Sequence, residues 1–177
     1  YGYLRNYTKN ISDEREIYLR KLIRDFILIQ SNTGLRFGEC RFLKWHYVSV
    51  VKGENKFPNV HIRVPAEISK VRKDRTAVGM RGDFFTRIKT YSNHTHSDDY
   101  IFSDMKNGKI LDKKVLYKMW HLIMRESGLD ESLNDYTYYC LRHTFATYRL
   151  QYGKVDIRTL AKVMGCSVTY IEQHYDS

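Results

Sequence analysis

Between Val48 and Val78 the sequence changes period, and this switch constrains the architecture more than any other feature. Short β-branched pieces follow one another: Val48-Ser49-Val50-Val51, Val60-His61-Ile62-Arg63-Val64 and Thr76-Ala77-Val78, with Gly53 and Asn59 supplying turns. On both sides the apolar residues return to helical spacing. Ser12-Asp13-Glu14 reads as a helix start, followed by Leu19, Leu22, Ile23, Phe26 and Ile27 on one face and Arg20, Lys21, Arg24 and Asp25 on the other. Thr33-Gly34 ends that helix, and a second is expected from about Arg36 to Trp45. Further helices are expected near Phe84–Tyr91, at Lys113–Glu126 and from Tyr139 to Tyr152, with Gly153 as the residue after the cap. The buried stripe of that last helix reads as Leu141, Phe145, Tyr148 and Tyr152, with Arg142 and His143 emerging beside it. Asp156 caps another helix, with Ile157, Leu160, Ala161 and Met164 inward and Gly165 closing it; Ser167 caps a final one reaching Tyr175. The expected fold is therefore mixed and mainly α, helical with a small three-stranded antiparallel sheet. Only Pro58 and Pro65 occur and no linker or repeat is visible, so residues 1–177 read as one domain.

Charge narrows the partner. Lys and Arg number 30 against 20 Asp and Glu, a net charge of +10, which favours a polyanion, nucleic acid before an anionic membrane surface. The longest apolar run, Phe26-Ile27-Leu28-Ile29, is far short of the ~20 residues that span a bilayer. Three widely spaced cysteines, Cys40, Cys140 and Cys166, fit a reducing compartment better than a disulfide scaffold. No CxxC, HExxH or P-loop pattern is present, and His94-Thr95-His96 has no obvious third ligand, so no metal and no nucleotide cofactor are expected.

Four segments could carry chemistry. In Thr33–Trp45 (TGLRFGECRFLKW), Arg36 and Glu39 share a face at a helix start, where a carboxylate can orient a guanidinium and free N–H groups can help it grip a phosphate. Taken alone, the pair reads first as an ordinary surface i,i+3 pair. Ser69-Lys70-Val71-Arg72-Lys73-Asp74-Arg75 lies between two strands; residues 67–90 hold seven Lys/Arg against three acids, suiting a hairpin tip that follows a DNA backbone or a solvated turn. The third is Tyr139–Thr147 (YCLRHTFAT), and the fourth Leu160–Ser167 (LAKVMGCS), with Tyr175 beyond it.

Together, in this order, these segments resemble the catalytic domain of the tyrosine recombinases, or phage integrases, over nearly the whole chain. The resemblance implies that Arg36 and Arg142 grip the scissile phosphate, that Glu39 supports Arg36, and that Tyr175 is the nucleophile. Lys70 matches the general acid, with Lys73 the alternative if the loop register shifts; Arg72, Lys73 and Arg75 would contact DNA, and His143 would support the site. Two positions depart from the pattern. Tyr139 stands where the family usually has His, and Cys166 where it has His or Trp; a phenol still donates well to a phosphate oxygen, a thiol weakly. The implied activity is metal-independent cutting and rejoining of double-stranded DNA through a 3′-phosphotyrosyl link, as in an integrase of a phage or other mobile element in a bacterial cytoplasm. A type IB topoisomerase-like enzyme is one alternative. A DNA-binding module with impaired catalysis is another, since residues 156–174 imitate a helix-turn-helix. Because the chain opens on Tyr1 and stops two residues after Tyr175, it reads as a fragment. An amino-terminal core-binding domain would precede it, and the whole protein would act as a tetramer on DNA, the fragment alone being monomeric.

Overall fold

The computed structural model describes all residues except 1, 6, 54, 55, 130–135, 176 and 177. A short α1 (Gly2–Arg5) precedes α2 (Glu14–Thr33), which runs through the centre of the molecule. The Asp13 side chain caps α2 by accepting the Glu16 N–H at 2.6 Å, and Gly34 ends it at φ 66°. Leu22, Ile23, Phe26 and Ile27 are buried as the spacing predicts, Leu19 is half-buried, and Tyr18 and Ile29 join the buried face. Arg20 and Asp25, expected on the solvent face, are also buried. Helices pack on several sides of α2, and each buried charge is answered. Arg20 forks onto Glu126 with two bonds of 2.9 Å, while Asp25 accepts from Arg24, Arg87 and Tyr91.

The second helix is shorter than its pattern suggested: α3 covers Phe37–Arg41, and a 3₁₀ turn at Trp45–Tyr47 leads into the sheet. Strands β1 (Val48–Val51), β2 (Asn59–Val64) and β3 (Arg75–Gly79) form an antiparallel meander in the order β1-β2-β3, with Ile62 opposite Val48 and Ala77. Val60, Ile62 and Val64 alternate inward while His61 and Arg63 face out. Then come α4 (Asp83–Lys89), α5 (Lys113–Glu126), α6 (Tyr138–Gln151), α7 (Ile157–Met164) and α8 (Val168–Tyr175). Asp156 and Ser167 cap α7 and α8 as expected, and Gly165 separates them at φ 65°.

Helix α6 is rotated from the expected stripe. Its buried residues are Tyr138, Arg142, Phe145 and Ala146; Tyr148 and Tyr152 are exposed. The first half of α6 docks on the main core through Tyr138, which fixes the face of the whole helix. Its end then covers only a smaller apolar cluster with Leu160, Met164, Ile171 and Tyr175. After α6 the left-handed residue is Lys154, φ 48°, rather than Gly153. No helix among the described residues is long and apolar enough to cross a membrane.

Gly34 is where α6 comes closest to the end of α2. A Cβ there would lie 2.4 Å from Phe145 Cδ1, at a φ that side chains resist. Gly34→Ala should therefore cost about 2–4 kcal/mol, combining left-handed strain with overpacking. Urea unfolding should show a lower midpoint at unchanged slope; an unshifted midpoint would contradict this packing.

Candidate active site

Arg36 is the N-cap residue of α3, in extended conformation, and Glu39 lies one turn in. Glu39 bonds back to Arg36 twice, accepting its N–H at 2.8 Å and its Nη1 at 2.9 Å. Arg75 takes the same carboxylate as a fork, Nη1 to Oε1 at 2.9 Å and Nη2 to Oε2 at 2.7 Å. This corrects the expectation that Arg75 belongs to an exposed DNA-contacting tip: its side chain is only 7% exposed. It is the first residue of β3, and strand alternation sets it on the inward face with Ala77 and Gly79. Arg75 Nε also donates to Val163 O at 3.0 Å, and Arg36 Nη2 donates to Gly165 O at 2.7 Å, so both guanidinia reach the α7–α8 junction. Burial alone would raise the Glu39 pKa. The bonds and charge of Arg75, helped by Arg36, outweigh it and hold the carboxyl below its ordinary value.

Arg142, expected beside the stripe of α6, lies within it at 1% exposure. Its Nη1 donates to Gly34 O and its Nη2 to Met164 O at 2.8 Å. Both partners are carbonyls, which satisfy the donors without neutralising the charge. Burial, and then the neighbouring Arg36, lower its pKa, yet a guanidinium stays charged at neutral pH.

Arg36, Glu39, Lys70, Arg72, Tyr139, Arg142 and Cys166 line one cleft of about 1020 Å³, together with the aromatic Phe37, Tyr117 and Tyr138. Lys73 instead borders a neighbouring cavity of about 780 Å³, which it shares with Arg75, Gly165 and Cys166. Arg72, at φ 53°, occupies a left-handed position in that hairpin. Burial pushes the Cys166 thiol up while Arg142 and Arg36 pull the other way; the net rise leaves a neutral S–H.

The cleft also contains Tyr170, which the sequence reading missed. Its hydroxyl is bonded to that of Tyr139, joining α8 to α6. The available signal was a tyrosine in the first turn after the Ser167 cap. Tyr175 is not part of the cleft lining. It is 5% exposed, its hydroxyl has no partner of good hydrogen-bond geometry among the described residues although that of Tyr139 lies close by, and its ring packs 4.9 Å from His143 and 6.2 Å from Tyr170. Burial, followed by the Tyr139 and Tyr170 hydroxyls, pushes its pKa up, and Arg142 opposes them. Burial, His174 and Arg142 together lower the His143 pKa, leaving that ring neutral at pH 7.

A mainly helical domain with a three-stranded sheet, and arginines converging from a helix start and a later helix, define the tyrosine-recombinase catalytic fold. The sequence model described as the phage integrase family matches residues 6–176, and the chain belongs to that family. It is 27% identical over 152 residues to the tyrosine recombinase XerC of Staphylococcus saprophyticus, covering 82% of this chain and 46% of that protein. With XerC of Staphylococcus epidermidis it shares 35% identity over 77 residues, 44% of this chain and 23% of that one. The chain thus spans less than half the length of these curated relatives. Among solved structures, it superposes on the site-specific recombinase XerH bound to difH substrate with a TM-score of 0.70 at 21% identity, over 97% of this chain and 47% of that one. The XerA recombinase gives 0.64 at 22%, covering 94% and 58%, and the Tn1549 transposon integrase in complex with circular intermediate DNA gives 0.63 at 18%, covering 98% and 57%.

Because Glu39 is the buried counter-charge to two arginines, Glu39→Gln should destabilise the protein by about 3 kcal/mol at pH 7. The parent should hold this contribution above the ordinary carboxyl pKa, about 4.3, and lose it as pH falls toward the lower folded value. The variant should lack that part of the acid dependence. Urea midpoints at neutral and acid pH check both, and equal midpoints at pH 7 would remove Glu39 from the load.

Proposed function

We propose that residues 1–177 form the catalytic domain of a site-specific DNA recombinase, an integrase of a phage or other mobile element in a bacterial cytoplasm. In the whole protein a core-binding domain precedes it, and four copies assemble on two duplexes while the isolated domain is monomeric. The observation that carries this reading is the convergence of Arg36, Arg142 and Lys70 on one cleft beside the turn that leads into the Tyr175 helix. The XerH and Tn1549 integrase structures are of DNA complexes, which supports duplex DNA as the partner.

The chemistry needs three parts. Arg36 and Arg142 take the non-bridging oxygens of the scissile phosphate and stabilise the charge of the transition state. Tyr175 Oη attacks phosphorus; the new P–Oη bond forms as the P–O5′ bond breaks, and the phenolic proton passes to solvent. Lys70 gives a proton to the departing 5′ oxygen. Attack by a 5′-hydroxyl on the phosphotyrosine reverses the steps, so the bond energy is conserved. Tyr139 donates to the phosphate and Cys166 contributes only a weak S–H. Arg72 and Lys73 hold the flanking backbone, Glu39 and Arg75 position Arg36, and His143 packs behind Tyr175. Tyr175, buried and outside the cleft, reaches the phosphate only when α8 shifts. That same burial favours a second reading, a DNA-binding module with impaired catalysis.

Random-sequence duplexes bearing one nick, captured as detergent-resistant adducts and then sequenced, decide between the two. We expect an adduct on Tyr175 that Tyr175→Phe abolishes while DNA binding persists. Arg36→Ala and Arg142→Ala should each slow cleavage by about 10²–10³. Lys70→Ala should be slow on ordinary DNA and recover on a bridging 5′-thio substrate, whose thiolate leaves unprotonated. Binding without any adduct would establish the second reading, and an adduct in Tyr175→Phe would place the nucleophile elsewhere.

A further inference from the structure

Two tyrosine–histidine pairs of the same spacing stand on α6 and α8, and both tyrosines line the cleft. On α6 the Tyr139 ring meets His143 edge-on, centroids 4.6 Å apart at 81°; on α8 Tyr170 meets His174 at 4.3 Å and 82°. Each ring is thus braced by its own helix, and the two hydroxyls at the tips are bonded to one another inside the cleft. Two phenols joined by one hydrogen bond use one proton between them and keep the other for a third group. Two candidates for that third group are within reach of Tyr139: the Tyr175 hydroxyl, which already interacts with it, and an anion that enters beside Arg36 and Arg142.

We propose that Tyr170 is a positioning residue for this site: its O–H donates to Tyr139 Oη, so that the Tyr139 proton points at a phosphate oxygen. The inference rests on reading the cleft as a phosphodiester site. Without Tyr170, the ring of Tyr139, 44% exposed, would offer its hydroxyl to water as readily as to the phosphate. With Tyr170 donating from behind, the outward O–H is oriented and polarised, as in any chain of hydrogen bonds. Burial, reinforced by the bond to Tyr139, pushes the Tyr170 pKa up to about 12, so it has a proton to give throughout the neutral range. A Tyr at position 139 thereby gains the fixed donor geometry that a ring N–H would have had on its own.

The test is a double-mutant cycle with two probes. The first is inorganic phosphate, titrated against the chain and followed by the ¹³Cζ resonances of Tyr139 and Tyr170. The second is single-turnover cleavage of a nicked duplex recovered by the capture experiment. Tyr170→Phe keeps the ring and its packing on His174, and an unchanged melting temperature would confirm that the fold is intact. We expect Tyr170→Phe and Tyr139→Phe each to weaken phosphate binding and slow cleavage, by up to about tenfold, the worth of one hydrogen bond. Duplex affinity should stay the same, the double variant should be no worse than the poorer single one, and Tyr170→Phe should have no effect when residue 139 is His. Additive losses, or no loss in either probe, would overturn the proposal. Faster cleavage by Tyr170→Phe would overturn it too, by making the hydroxyl pair a latch that holds α8 closed over Tyr175. A parent that binds phosphate with this coupling but forms no adduct would refute the recombinase reading while upholding the pair; an adduct without coupling would do the reverse.

Discussion

Glu39 is the one carboxylate on which the arrangement of the cleft turns. It reaches back to Arg36 at the start of its own helix and forward to Arg75 at the start of β3, and both arginines extend to the carbonyls of Val163 and Gly165. Arg142 enters the same neighbourhood with no carboxylate of its own, bonded to Gly34 O and Met164 O. Three guanidinia gather around the one buried carboxylate of Glu39, and even with Glu67 the cleft lining holds four cationic side chains, Arg36, Lys70, Arg72 and Arg142, against two acidic ones. The donors are satisfied, which limits the cost of burying them, but the charge is not balanced. A cleft with that surplus is arranged for an anion before any anion arrives, the condition under which electrostatic stabilisation requires little reorganisation.

The same bonds explain why the turn between α7 and α8 matters. Gly165 is left-handed there, and a Cβ on it would stand 2.8 Å from Arg75 Cδ. A side chain at this point would push Arg75 from Glu39 and, through Glu39, disturb Arg36. The turn supplies carbonyls to Arg36 and Arg142, places Cys166 at the edge of the cleft and begins the helix that ends in Tyr175.

Much of this was legible in the sequence because it is local. Asp13, Asp156, Ser167, Gly34 and Gly165 mark helix ends by capping chemistry that needs no tertiary partner, and the β-branched pieces mark the strands. The spacing of Arg36 and Glu39 already implied their contact. What could not be read depends on neighbours distant in sequence. Arg20 and Asp25 look like surface charges until Glu126 and Arg87 are brought to them. Arg75 looks like part of a basic tip until β3 fixes which face it takes. Tyr148 and Tyr152 fit an apolar stripe, but α6 is turned so that Arg142 occupies the buried face. Tyr170 acquires meaning only opposite Tyr139, thirty-one residues away.

Arg142 also joins the two apolar cores. Gly34 closes the helix at the heart of the larger one, and Met164 is buried in the smaller, so one side chain is bonded to both. The α7–α8 unit therefore cannot open in a local unfolding event without also breaking the bonds of Arg36 to Gly165 and of Arg142 to Met164. Cooperative units of this kind exchange their amide hydrogens together. An anion seated in the cleft, bound only by the closed form, would slow exchange across the whole small core, including amides it never touches. Occupancy of the cleft is then written into the rigidity of the helix that ends in Tyr175.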